Sequence, residues 1–172
     1  MKRLLAAIIA SITLLTLARA QDFNVFTDVN LVLSTHRGMI GSQYLTEFVE
    51  EEETKRGETP QKALERIERE LFMSLRKGLN EKSKTYHFGN YPESKYEMKV
   101  QFVKCNSDGQ RGKFIFTLSN KENGKSVTFD KSCRGGTFGT RLHLLNESIE
   151  GAGRKAASHI SYQKKLKKLD IE

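Results

Sequence analysis

The chain has 172 residues, with 29 lysines and arginines against 21 acids, a formal charge of +8, two cysteines and no tryptophan. That length fits one domain with a real core rather than two. Two cysteines without nearby soft ligands speak against a thiolate metal site, and the basic balance points only weakly to anionic partners.

Residues 1–20 read MKRLLAAIIASITLLTLARA. Lys2 and Arg3 form a basic head, Leu4 to Leu17 an apolar run, and Ala18 and Ala20 place small residues where a signal peptidase inspects them. The run is shorter than the roughly 20 residues of a membrane span. The expectation is a cleaved signal peptide over 1–20, with a retained anchor as the alternative, and a single α+β domain over 21–172. Lys2, Arg3 and Arg19 fall in the leader, so +5 remains over the 152 residues that follow. Such a leader implies export, to the periplasm or the cell exterior.

Residues 23–33, rich in valine, phenylalanine and leucine, read as one irregular strand or two short ones. Residues 34–41 read as a loop. Over 42–53, Tyr44, Leu45, Phe48 and Val49 share a helical face that Ser42 is placed to cap. A longer helix follows over 60–82, with Thr59 as cap and Pro60 in the first turn. Its apolar residues Ala63, Leu64, Ile67, Leu71, Leu75 and Leu79 recur every three or four positions. Residues 83–95 give a short strand and a turn. Three alternating segments then run over 96–104, 112–119 and 125–130, joined by short polar turns. The last helix is expected over about 138–168, with a basic end where the helix frays. Small residues from Gly151 to Ala157 imply a close neighbour, a kink or a contact with a second copy. The fold expected is α+β: an antiparallel meander packed against two long helices in two layers.

In an oxidising compartment Cys105 and Cys133 are expected to bridge. They end the first and third meander strands, so in a flat sheet they stand about 10 Å apart. A bond needs Cα atoms within about 4.4–6.8 Å, and therefore a chain that folds back after Asp130. Free thiols are the alternative; neither a metal site nor a redox CxxC pair is expected. The segment Arg134, Gly135, Gly136, Thr137, Phe138, Gly139, Thr140, Arg141 leads into the last helix. Its glycines fit neither the P-loop nor the dinucleotide spacing. Two readings remain: a tight turn, or an anion site of helix-start N–H groups flanked by Arg134 and Arg141.

No serine sits in a nucleophile elbow, and the histidines show no metal spacing. Four consecutive acids, Glu50 to Glu53, lack the alternation calcium needs. Lys164, Lys165, Lys167 and Lys168 form a basic run that is either a solvated tail or a contact for a partner or acidic lipid. Export argues against nucleic acid. These features point to an exported accessory protein of the cell envelope that acts by binding a protein or an anionic ligand, without a cofactor. The alternatives are a small hydrolase or lyase using residues such as His87, Asp108 and His143, and a self-associating structural protein.

Overall fold

The computed structural model describes residues 26–53, 57–165 and 171; the expected leader lies outside them. Over these residues run β1 (Thr27–Ser34), β2 (Met39–Ile40), β3 (Gln43–Tyr44), α1 (Leu45–Glu53), α2 (Pro60–Lys82), β4 (Tyr86–Gly89), β5 (Tyr96–Cys105), β6 (Arg111–Asn120), β7 (Ser126–Arg134) and α3 (Arg141–Lys165). The seven strands form one mixed sheet.

The helices begin where a side chain can satisfy the first turn. Thr59 caps α2 by accepting the Lys62 N–H, with Pro60 next in the chain. α1 begins later than expected, and Ser42 is not its cap. Instead the Glu47 carboxylate reaches back to the Tyr44 N–H at 2.8 Å, the carboxylate half of a capping box. In α3, Thr140 Oγ1 accepts the His143 N–H at 3.2 Å. Phe138 therefore lies outside the helix and is 88% exposed.

The sheet corrects the all-antiparallel expectation. β5, β6 and β7 pair antiparallel, with Val100 opposite Phe116 and Phe116 opposite Phe129. The other edge of β5 is filled by β1, which runs parallel to it from Val29–Tyr96 to Ser34–Gln101. β1 also pairs parallel with β4. Helices α1 and α2 supply the long crossover that parallel neighbours require. Residues 34–41, expected as loop, contain β2, which continues along β5 opposite Lys104 and Cys105.

Alternate residues of the central strands point inward. Met98, Val100, Phe102, Phe114, Phe116 and Leu118 are buried in one cluster with Leu71 and Leu75 of α2 and Leu145 and Ile149 of α3. The outward residues Lys99, Gln101, Lys104 and Arg111 are exposed. The two long helices touch through glycine. A Cβ on Gly78 would lie 2.0 Å from the Glu150 carbonyl oxygen, and one on Gly153 2.9 Å from that of Leu75. The small-residue stripe is thus a close approach inside the protomer; Gly151, Ala152, Gly153, Ala156 and Ala157 are all buried. A second copy cannot pack on it. On the solvent side Arg154 joins Glu81 at 3.0 Å and Glu150 at 2.6 Å. The hydrogen bond from Arg154 holds the Glu81 carboxyl below the usual carboxylate range.

Cys105 and Cys133 are free thiols. Gly112 pairs with both, so they stand two strand spacings apart, about 10 Å, beyond the reach of a bridge. The fold-back that a bond needs does not occur, because β7 stays paired with β6 through Arg134. Burial pushes the Cys105 thiol up to about 11. The expected fraying beyond Lys165 falls on residues outside those described, apart from Ile171. Ile171 is fully buried, and its carbonyl accepts the Asn120 side-chain amide at 2.8 Å.

Three outcomes follow from this packing. Gly78→Val is expected to destabilise the protein by about 3 kcal/mol, since overpacking at a helix contact meets backbone; a urea melt reads this directly. In the folded protein at pH 8, a thiol alkylating reagent should label Cys133 well before Cys105, while both label together in urea. His159 packs against Phe129 with ring centroids 4.6 Å apart, and burial, with Lys131 nearby, lowers its pKa below 6.5. The folded state therefore favours neutral His159. Its contribution is complete above about pH 6.5 and is lost as the pH falls through the lowered folded value. Between pH 7 and pH 5, His159→Gln should lose less stability than the parent, measured by melts across that range.

Candidate functional site

Three cross-helix contacts share nearly one offset. Ser74 meets Asn146, Lys77 meets Glu150, and Glu81 meets Arg154. α2 and α3 therefore run parallel, and their C-termini arrive at the same end of the molecule. Carbonyl groups at helix C-termini carry partial negative charge and favour cations. Lys82 closes α2, Lys84 follows in the link to β4, and Lys164 and Lys165 close α3.

These four lysines line a pocket of about 570 Å³ with Tyr162 and hydroxyl side chains between them, and no carboxylate lines it. Tyr162 is 59% exposed. Lys164 Nζ sits 5.2 Å above the centre of the Tyr86 ring, a cation–π contact that fixes one wall. Lys82 Nζ lies 3.6 Å from the carboxylate of its neighbour Glu81. Lys84 and Lys165 are exposed and make no ion pair among the described residues. The helix ends account for some positive charge here. They do not require four lysines from three segments around one cavity, and that convergence suits an anionic partner.

The expected basic run is thus half present: Lys164 and Lys165 line the pocket, while Lys167 and Lys168 fall outside the described residues. Sequence reading missed Lys82 and Lys84. Their one visible signal was a pair of lysines flanking Ser83, the residue that ends the amphipathic pattern of α2.

At the glycine segment two backbone donors and both arginines have partners within the chain. The Gly135 N–H donates to the Gln110 carbonyl at 2.6 Å, and the Gly136 N–H to Glu147 Oε2 at 2.6 Å. Arg134 donates to the Gln110 side chain at 2.9 and 3.2 Å, and the Arg141 guanidinium lies 4.8 Å over the Phe48 ring. Thr140 is the cap, Thr137 is exposed, and Gly139 takes a φ of 137°. Within the segment read as an anion site, the chain's own Glu147 carboxylate takes the Gly136 N–H.

The residues of the hydrolase alternative do not meet. His87 pairs with Asp28 at 3.4 Å and with the Tyr91 hydroxyl at 2.9 Å. The Asp108 carboxylate accepts the Gln110 N–H within its turn. His143 faces Glu147 and opens on a groove with Arg69, Glu70 and Asn146. The Asn146 side-chain amide donates to the Leu142 carbonyl at 3.0 Å. Among the described residues, no three histidines, cysteines or acids are placed to hold a metal ion, and no helix is long and apolar enough to cross a membrane.

No family model and no curated protein matches the chain. Among solved structures it is similar to an uncharacterised protein at 10% identity, over 80% of this chain and 92% of that one, with a TM-score of 0.44. It is also similar to the PelC dodecamer from Paraburkholderia phytofirmans at 12% identity, over 74% and 86%, with a TM-score of 0.39. A protein from Xanthomonas campestris, of the family model DUF330, aligns at 9% identity over 82% and 89%, with a TM-score of 0.37. Likeness this distant assigns no activity and no partner to this chain.

Proposed function

We propose that this chain is an exported accessory protein of the cell envelope, a two-layer α+β body that acts by binding an acidic protein partner through the lysine pocket. The observation that carries this reading is the convergence of Lys82, Lys84, Lys164 and Lys165 on one cavity without a lining carboxylate. Complementary charge steers such a partner and selects against basic ones. Tyr162 beside the ammonium groups supplies the aromatic anchor that interfaces favour. The leader pattern of residues 1–20 supports export, to the periplasm or beyond it.

Crosslinking of the exported protein in native envelope extract, read by mass spectrometry, tests this. A dominant acidic partner joined through Lys84 or Lys165 is expected. Its affinity should fall at least tenfold in Lys84→Glu/Lys165→Glu and weaken as salt rises. A partner that binds the double variant as tightly as the parent refutes the pocket as the contact. Binding only to anionic lipid vesicles would replace the protein partner with a membrane surface.

A further inference from the structure

A second basic cluster lies on the opposite, open side of the sheet. The register sets Lys104 of β5 opposite Lys113 of β6, and Lys113 opposite Ser132 of β7. Side chains at paired positions share one face, and all three point outward. Arg111 stands on the same face, two residues from Lys113 along β6. Together with Asn106 these residues line a groove of about 390 Å³ with no carboxylate in its wall. Asn106 is oriented by its own turn. Its Oδ1 accepts the Arg111 N–H at 2.6 Å, which leaves Nδ2 as a donor without a partner among the described residues. Lys113 is 3.7 Å from Asp130. Lys104 and Arg111 make no ion pair among the described residues.

We propose that this groove is a binding site for a phosphate group. Three cations, an amide and a hydroxyl converge from two strand pairs and a turn. A tetrahedral phosphate has enough oxygens to engage them, whereas a carboxylate has two. Arg111 supplies a planar fork suited to paired phosphate oxygens, and the lysines supply point charges. The site is separate from the lysine pocket. Gly109, in the turn beside the groove, abuts the Arg141 carbonyl at the start of α3. The lysine pocket lies at the far end of that 25-residue helix, about 36 Å away along its axis. The phosphate is either free in solution, as inorganic phosphate or a small ester, or part of a lipid headgroup.

Titration calorimetry of the exported protein with inorganic phosphate, beside pelleting with phosphatidic-acid vesicles, separates those sources. Saturable binding of one phosphate is expected, at least tenfold weaker in Arg111→Ala and in Lys104→Ala and unchanged in Lys84→Glu. Pelleting that the same two variants abolish, without binding of free phosphate, assigns the groove to a lipid phosphate. Circular dichroism confirms that each variant is folded; the substituted side chains are exposed. The proposal falls if neither probe binds, if Arg111→Ala and Lys104→Ala bind as well as the parent, or if acetate competes as well as phosphate.

Discussion

The contact between α2 and α3 sets the rest of the molecule. Gly78 and Gly153 allow the two backbones to approach closer than any side chain permits. That approach fixes the helices as a parallel pair and gives the sheet one broad apolar surface to cover. It also brings both C-termini to one end, where the lysine pocket forms. Larger residues at the contact would separate the helices and splay the four lysines apart. Arg154, held between Glu81 and Glu150, keeps the same register from the solvent side.

The sheet is anchored to this pair by a small polar group. Ser148 of α3 is fully buried. Its hydroxyl accepts the Gly112 N–H at 2.9 Å and donates to the Cys133 carbonyl at 2.7 Å. A buried hydroxyl must find partners, and here the partners are backbone groups of the two outermost antiparallel strands. Gly151 leaves room for the Cys133 sulfur; a Cβ there would lie 2.4 Å from it. The two cysteines are therefore better understood as packing elements, Cys105 buried and Cys133 partly so, than as the ends of a cross-link.

The parts of the fold legible in the sequence are those specified locally. α2 was readable to the residue because its apolar period, Thr59 and Pro60 all lie within one segment. β5 to β7 were readable because inward and outward residues alternate between short turns. β1 was readable as a strand, but its neighbours were not, because nothing in residues 23–33 names a partner some sixty positions away. The two-residue strands β2 and β3 have no periodicity to read. The sites divide the same way. Lys164 and Lys165 stood out as part of a run, but Lys82 and Lys84 join them only when α2 and α3 lie side by side. Lys104, Arg111 and Lys113 looked like ordinary wet-face residues until strand register placed them around one groove. The glycine turn left two readings open because sequence shows which N–H groups approach a helix start, and not that Gln110 and Glu147 accept two of them.

The placement of β1 bears on how the chain reaches this structure. β1 is among the first parts of the described chain to be synthesised, yet Thr27 pairs with Tyr86 and Val29 with Tyr96. Closing loops of that length costs entropy before any pairing compensates. β5, β6 and β7 close through short turns, and α2 forms from its own period, so these elements assemble from nearby sequence. β1 must wait with both edges unpaired until its neighbours exist. Insertion of this early strand between later ones closes longer loops than the β5–β6 and β6–β7 hairpins do, and until it happens both edges of the strand stay open to pairing with other chains.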